Sequence, residues 1–307
     1  MQNTLIVVVG PTGVGKTELS IDLAGHFKTE IISCDSRQFY REMVIGTSAP
    51  TEEQLSKVRH HFVRFLSVTD YYSASMYERD VLKLLPELFS RNPLVILTGG
   101  SGLYVDAVCT GIDDIPDVDP AAREKYWNLY RREGIESLRI ALKLLDPDYY
   151  RIVDLKNHKR IIRALEICET TGRPYSSFLK KEKRRRDFRI IKIGLERPRD
   201  ELYTRINERV DRMIGEGLVE EARNLLKYRH LNALQTLGYK ELFEYFDGKI
   251  TLETAISLIK RNSRRYAKRQ ITWWARDKEI RWFNPLQKDD IIMYTETEVL
   301  RQNQCTG

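Results

Sequence analysis

Short apolar segments alternate with amphipathic segments along the first hundred residues. Four segments have the composition of β-strands: 5–9, 30–34, 61–68 and 94–97. Two segments have the apolar spacing of helices: one covers 18–27, and the other runs from Ser73 or Ser75 to about Phe89. Strands that alternate with helices are typical of an α/β fold, in which helices cover both faces of a mainly parallel sheet.

The pattern changes after Gly111. Residues 112–120 are rich in Asp and Pro and indicate a linker, and helical spacing follows at about 121–132, 136–145 and 157–170. A strand-like segment returns at 190–195, and the last third is helical at about 200–227, 238–246 and 251–277. We therefore predict an α/β core formed by residues 1–114 and 187–307, with a helical insertion domain at 115–186.

The composition is that of a globular protein, since 42% of the 307 residues are hydrophobic and the mean hydropathy is −0.45. No apolar run is long enough to span a bilayer, and the N-terminus leads into the first strand without the features of a signal peptide. The cysteines at positions 34, 109, 168 and 305 lack the spacing of a zinc site or of a disulfide framework. A reduced, cytoplasmic protein without membrane contact is the expectation.

The net charge of +7 is unevenly distributed. Residues 151–189 carry 13 Lys and Arg against 5 Asp and Glu, and residues 258–281 carry 9 against 2. These two segments have a combined surplus of 15 positive charges, so the remainder of the chain is near −8. One basic segment is typical of a solvated surface, but two of them beside a phosphate site favour a nucleic-acid partner.

A glycine-rich segment lies between the first strand and the first helix. It consists of Gly10, Pro11, Thr12, Gly13, Val14, Gly15, Lys16 and Thr17. This context is that of a P-loop, in which the glycines let the backbone wrap around an anion and the helix N-terminus adds positive potential. Lys16 adds a charge, and a hydroxyl at the position of Thr17 is a Mg²⁺ ligand in such loops. The core is therefore predicted to be P-loop NTPase-like and to bind a phosphate or a diphosphate.

The reaction type is less constrained, since many enzyme classes use a P-loop. The strand at 94–97 ends in Thr98-Gly99-Gly100-Ser101, without the carboxylate that an ATPase uses to hold Mg²⁺. This segment is either a second phosphate-binding loop with a donor at Ser101 or a tight turn. Asp35 ends the second strand, where it serves as a Mg²⁺ ligand, a proton acceptor or a turn residue. The residues alone leave these alternatives open.

Several motifs, in order from about residue 5 to 283, resemble those of the tRNA dimethylallyltransferases. Besides the P-loop, they are 35–40 (DSRQFY), 45–50 (IGTSAP), 99–104 (GGSGLY), 159–166 (KRIIRALE), 171–174 (TGRP), 237–241 (LGYKE) and 264–273 (RRYAKRQITW). The chain departs from the usual family pattern at Gly13-Val14, at Ser101, after His60-His61 and at His158. We assign no role to these histidines.

The resemblance implies transfer of a dimethylallyl group from dimethylallyl diphosphate to N6 of the adenosine next to the anticodon (position 37 of the tRNA), with release of diphosphate. It implies Mg²⁺ as cofactor, held by Thr17. Lys16, Thr17 and Ser101 would stabilise the leaving group, and Asp35 would be the general base. Arg209 is a further diphosphate contact by this resemblance, or it forms a surface ion pair with Glu208 or Glu216.

The family's tRNA contacts carry over to a larger set of positions. They are Asp35, Ser36, Arg37, Gln38, Ser101, Arg123, Lys159, Arg160, Ile161, Ile162, Arg163, Gln235, Thr236, Leu237, Gly238, Tyr239 and Lys240. Lys159 and Arg163 are expected to share a helix face suited to anticodon phosphates, and the insertion is expected to bind the anticodon stem-loop. Tyr266 and the following tryptophans are either base-stacking or core residues. We expect a monomer. The rival functions are an adenylate isopentenyltransferase, a P-loop kinase or NTPase, and a non-catalytic RNA-binding module.

Overall fold

Six parallel strands form the central sheet, and the apolar segments near the N-terminus supply its middle. The computed structural model describes residues 2–113, 115–116, 118–180 and 184–301. The strands are β1 Thr4–Val9, β2 Ile31–Ser33, β3 His60–His61, β4 Leu94–Thr98, β5 Arg189–Leu195 and β6 Arg281–Phe283. Their order is β3-β2-β4-β1-β5-β6, and every strand pairing is parallel. The predicted α/β fold with a mainly parallel sheet is confirmed.

Helices make up most of the regular structure outside the sheet. They are α1 Lys16–Phe27, α2 Glu52–Lys57, α3 Ala74–Arg91, α4 Gly102–Thr110, α5 Pro120–Glu133, α6 Ile135–Leu145, α7 Pro147–Ile152, α8 His158–Thr171, α9 Arg199–Gly215, α10 Leu218–Asn224, α11 Tyr239–Phe246, α12 Leu252–Trp274 and α13 Lys288–Arg301. No helix in the described part of the chain is both long and apolar enough to cross a membrane.

Helices pack on both faces of the sheet because β1 is apolar on both of its sides. Leu5 and Val7 belong to one buried cluster, which includes side chains of α3 and α4. Ile6 and Val8 belong to another, with side chains of α1, α9 and α13. A third cluster joins α9, α10, α11 and α12. The sheet edge that carries the P-loop is thereby supported from both sides.

The chain divides into two compact units. The first contains residues 1–109 and 185–307 and holds the sheet, and the second contains residues 110–184. The second unit has its own core, in which α5, α6 and α8 contribute Tyr126, Leu138, Leu142 and Leu165. The sequence prediction placed the insertion at 115–186. Residues 114 and 117 of the predicted linker, residues 181–183 of the basic segment and Cys305 lie outside the described residues.

Two predicted elements differ from the structure. The strand expected at 61–68 is reduced to the two residues of β3, because Phe62 and Arg64 have φ of +59° and +51°, values that no strand accommodates. The helix expected at 200–227 is two helices, α9 and α10, separated at Gly217, which has φ of +102°. Strand β6 and the helices α2, α4, α7 and α13 were not predicted.

Candidate active site

Three loops meet at one edge of the sheet because the strands that precede them are neighbours. Strand β4 lies between β1 and β2. The P-loop follows β1, the Cys34-Asp35 segment follows β2, and Gly99-Gly100-Ser101 follows β4. In a parallel sheet the carboxyl ends of neighbouring strands share an edge, which is where such folds place their ligands. Three motifs that are far apart in sequence therefore form a single site.

The P-loop has the backbone conformation that its glycines predict. Gly10, Gly13 and Gly15 have φ of +148°, +80° and +114°, all in the range that disfavours other residues. The ammonium group of Lys16 donates hydrogen bonds to the carbonyls of Gly10 at 3.0 Å and Pro11 at 2.9 Å. The lysine therefore folds back over its own loop and lies where an anion would be held.

Two arginines of the C-terminal half hold the P-loop from outside. Nε of Arg197 donates to the carbonyl of Val14 at 2.9 Å, and Nε of Arg205, on α9, donates to the carbonyl of Gly13 at 3.0 Å. With two of its carbonyls bonded to cations outside the loop, the backbone is fixed in the conformation that a phosphate requires. Neither arginine was assigned a role from the sequence.

Burial lowers the pKa of Lys16 from its ordinary value to about 8. The Asp35 carboxylate opposes this shift, and the nearby Arg209 guanidinium reinforces it. In the absence of a bound anion, the charge on Lys16 is thus present at pH 7 and is lost as the pH rises through about 8.

We therefore expect the affinity for inorganic diphosphate to fall above pH 8, approaching about tenfold per pH unit, because the deprotonated Lys16 no longer attracts the anion. Isothermal titration with diphosphate across this range measures the effect. In a Lys16→Met control the decline should be absent, although binding is weaker throughout. A decline of equal steepness in this control would show that a different group titrates.

Asp35 is held by hydrogen bonds within its own loop and by the contact of this loop with Ser101. Its Oδ1 accepts the N–H of Arg37 at 3.1 Å, and the N–H of Ser36 donates to Oγ of Ser101 at 3.0 Å. The Ser101 hydroxyl in turn donates to the Ser36 hydroxyl at 3.1 Å. Ser101, to which the resemblance assigned contacts with the leaving group and with tRNA, thus contacts the Asp35 loop. Gly99 and Gly100, in contrast, line a cavity that also contains the P-loop residues. Gly99 must be glycine because a Cβ would lie 2.1 Å from the carbonyl oxygen of Cys34.

Two cavities adjoin at Asp35. The first, of about 420 Å³, is lined by P-loop residues including Lys16 and Thr17. The second, of about 390 Å³, is lined by residues that include Ser36, Arg37 and the 235–237 segment. Five residues line both: Thr12, Asp35, Arg209, Met213 and Tyr266. An anion in the first cavity and a second molecule in the other cavity would therefore meet at the Asp35 carboxylate.

Arg209 is half-buried on α9 and lines both cavities. Its guanidinium donates to the carbonyl of Thr47 at 3.3 Å, and burial lowers its pKa. Within the described residues, the charges that act on this guanidinium are those of Asp35, Arg212 and Glu18. A partly buried cation that lines a cavity is suited to bind an anion there.

The 44–47 loop is held in place by Glu221. This carboxylate accepts the N–H groups of Val44, Ile45 and Gly46 at 2.8–2.9 Å. It also accepts the hydroxyl proton of Tyr239 at 2.7 Å. The buried Tyr239 side chain therefore supports this loop, and Gly238 beside it is buried as well, whereas tRNA contact was expected of both.

The remaining predicted residues near the sheet line one or the other of the two cavities. The walls of the second cavity include Gln235, Thr236, Leu237 and Lys240. Gln38 lines the first cavity, and its amide donates to the carbonyls of Thr47 and Ser48 at 3.3 and 3.1 Å.

Helix α8 of the second unit presents only part of the predicted basic face. Lys159 and Arg160 are exposed. The guanidinium of Arg163 lies 3.7 Å from the buried carboxylate of Glu166, which also accepts a hydrogen bond from Arg123 at 3.1 Å. The charges of both arginines are thus partly balanced within the unit. Ile161 and Ile162 are 0% and 2% exposed in the core, so their side chains do not contact RNA in this conformation.

The chain is similar in sequence and in structure to several known proteins. A model of the IPP transferase family matches residues 38–277. Proteins called tRNA dimethylallyltransferase 1 in Bacteroides thetaiotaomicron and Phocaeicola vulgatus are 57% and 58% identical to this chain. The alignments cover 97% and 96% of the chain and 96% and 98% of the relatives. The crystal structure of a tRNA isopentenylpyrophosphate transferase from Bacillus halodurans has a TM-score of 0.72 at 36% identity and covers 99% of both chains.

Proposed function

Because the chain belongs to the IPP transferase family, we propose that it transfers a dimethylallyl group from dimethylallyl diphosphate to N6 of the adenosine beside the anticodon of a tRNA. The observation that carries this proposal is the position of the Asp35 carboxylate on the walls of both cavities. One cavity contains the P-loop, which suits a diphosphate, and the other is suited to a purine.

The diphosphate would be the leaving group rather than part of a nucleotide. The N–H groups of the P-loop, the ammonium group of Lys16 and the guanidinium of Arg209 line the first cavity and would bind its oxygens. As the C1–O bond of the donor breaks, both bonding electrons leave with the oxygen. The negative charge that develops there is stabilised by these preorganised donors.

Magnesium fits this arrangement through Thr17, which lines the first cavity directly after Lys16. Mg²⁺ in P-loop sites keeps few protein ligands and completes its coordination with phosphate oxygens and water. A bound Mg²⁺ would neutralise charge on the diphosphate. We therefore propose Thr17 as its protein ligand.

Asp35 would accept the proton that the nucleophile loses. The lone pair of the adenine N6 forms the new bond to C1 of the dimethylallyl group, and an N6 proton passes to the Asp35 carboxylate. A base is required because this lone pair is delocalised into the ring and the amine is a weak nucleophile. General-base catalysis of this kind contributes about 10²–10⁴-fold.

The adenosine must leave its base stack to enter the second cavity, as RNA-modifying enzymes commonly require. Within the first unit, Ser36, Arg37 and the Gln235–Lys240 segment would contact the extruded nucleotide. Within the second unit, the exposed Lys159 and Arg160 would contact phosphates of the anticodon stem-loop. We propose that the reaction takes place in the cytoplasm, because its substrate is a tRNA, and that the protein acts as a monomer.

A Lys159→Ala, Arg160→Ala double variant is expected to bind tRNA more weakly and with a smaller dependence on salt. Each lost phosphate contact lowers the slope of log K against log salt by about 0.7–0.9. Fluorescence anisotropy with labelled tRNA at several salt concentrations measures this slope. The control is the double variant Lys57→Ala, Lys288→Ala. It removes two surface charges of the first unit that are already paired with carboxylates. Equal slopes in the two variants would exclude an RNA contact on α8.

The proposed reaction is tested with labelled dimethylallyl diphosphate, Mg²⁺ and either unmodified tRNA or AMP. We expect label on tRNA and none on AMP. Label on AMP would indicate an adenylate isopentenyltransferase, and ATP hydrolysis without labelled tRNA would indicate a kinase or NTPase. tRNA binding without any transfer would indicate an RNA-binding module.

A further inference from the structure

Gln270 is a buried amide on a helix whose other inward-facing residues include Ala267 and Trp274. It lies on α12 and is only 6% exposed. A buried amide is costly unless its donor and its acceptor are both paired. The partners of Gln270 are therefore informative about the purpose of a polar group at this position.

The amide joins two loops of the active site. Its Oε1 accepts the N–H of Thr12 in the P-loop at 2.8 Å, and its Nε2 donates to the carbonyl of Gly100 at 2.8 Å. Gly100 packs so closely on this amide that a Cβ would lie 2.4 Å from Nε2. The same Cβ would be 3.9 Å from Oδ2 of Asp35. The bridge is thus adjacent to the carboxylate that separates the two cavities.

Gly100 is connected to Asp35 through the next residue along the chain. The backbone N–H of Ser101 donates to the carbonyl of Cys34 at 3.3 Å, and its hydroxyl accepts the N–H of Ser36 at 3.0 Å. A displacement of the Gly100-Ser101 segment would therefore move both sequence neighbours of Asp35, and Asp35 with them. Thr12, at the other end of the bridge, lines both cavities.

We propose that Gln270 is a positioning residue that sets the spacing between the P-loop and the Asp35 carboxylate, and thereby between the departing diphosphate and the attacking amine. The inference rests on the proposed prenyl transfer. Gln270 need not touch either substrate, since its bonds to Thr12 and Gly100 are sufficient for this role. Reactions of this kind are sensitive to such spacing, and a displacement of about 1 Å costs about 10²-fold in rate.

The bridge requires one acceptor and one donor on a planar group, which glutamine supplies. In a Gln270→Glu variant the ionised carboxylate still accepts the Thr12 N–H but repels the Gly100 carbonyl. The protonated carboxyl has a donor again and restores the bridge. Burial disfavours the ionised form, so restoration should occur within an accessible pH range. Gln270→Met retains the length of the side chain and removes both bonds.

The test compares kcat for tRNA prenylation in the parent protein, Gln270→Glu and Gln270→Met, with melting temperatures to verify folding. We expect kcat to fall about 10–10²-fold in both variants near pH 8. The ratio of kcat for Gln270→Glu to that of the parent should rise as the pH falls from about 8 to about 6. The ionisable side chains around the bridge, Lys16, Asp35 and Tyr266, are the same in the parent and in the variant, so their effects largely cancel in this ratio. The ratio for Gln270→Met should not change with pH.

The control for the change of charge is Gln287→Glu at an exposed position, which should match the parent at every pH. Near-parental kcat in Gln270→Glu and Gln270→Met would overturn the proposal. A loss of kcat in Gln270→Glu that does not change with pH would also overturn it, because a merely structural defect behaves in this way. If Gln270→Glu does not fold, the Gln270→Met variant still tests the proposal. A parental melting temperature together with a parental kcat in this variant would overturn it. Failure of the proposed function is distinct, since the parent itself would then not prenylate tRNA.

Discussion

Asp35→Asn is expected to lower kcat for prenyl transfer by about 10²–10⁴-fold and to leave tRNA binding nearly unchanged. The asparagine is isosteric, and its Oδ1 can still accept the Arg37 N–H that now bonds to Asp35 at 3.1 Å. The loop therefore keeps its shape, but the side chain no longer accepts a proton. Single-turnover transfer to tRNA measures the rate, and anisotropy measures the binding.

The matched control is Asp211→Asn, which removes a carboxylate that is 58% exposed and pairs with Lys260 on the surface. Its rate should equal that of the parent, since surface ion pairs contribute little. A rate for Asp35→Asn within a factor of about three of this control would exclude Asp35 as the general base.

The sequence alone predicted the P-loop because every signal for it is local. The apolar strand, the three glycines and the following helix are contiguous, and the structure gives all three glycines the positive φ that their positions suggested. The order of strands was not predictable in the same way. It depends on which segments lie beside β1 in space, and its neighbours β4 and β5 begin at Leu94 and Arg189.

The roles of several site residues depend on partners that are distant in sequence. Ser101 appeared suited to bind a phosphate, yet its hydroxyl contacts Ser36, 65 residues away. Gln270 appeared only as part of a basic helix motif, although its amide bonds to Thr12, 258 residues away. One signal for Gln270 was available, because it shares a helix face with Ala267 and Trp274, and a polar residue on an apolar face requires partners.

In the second unit the error was the opposite one, because all residues of a sequence motif were assigned to one contact surface. Residues 159–163 were all expected to contact tRNA, but successive residues on a helix point in different directions. Ile161 and Ile162 therefore face the core, while Lys159 and Arg160 face outwards. The helical period alone was enough to make this distinction.

Arg209→Met is expected to reduce kcat/KM for dimethylallyl diphosphate by about 10²–10³-fold, the usual cost of removing one preorganised donor for a developing negative charge. Methionine retains much of the buried volume, so the adjoining Met213 and Tyr266 side chains should keep their places. Arg199→Met is the control, because it removes an exposed arginine at the start of the same helix. Equal kcat/KM in the two variants would exclude Arg209 as a diphosphate contact.

Arg209→Met should also change the pH dependence of diphosphate binding, which tests the electrostatic interactions among the residues of the site. The guanidinium of Arg209 lowers the pKa of Lys16, whereas the carboxylate of Asp35 raises it. Arg209→Met should therefore move the alkaline decline of diphosphate affinity to higher pH, and Asp35→Asn should move it to lower pH. Shifts in the same direction would show that the two side chains do not act on Lys16 through their charges. Opposite shifts would show that all three residues share one electrostatic environment, as their position around a single cavity requires.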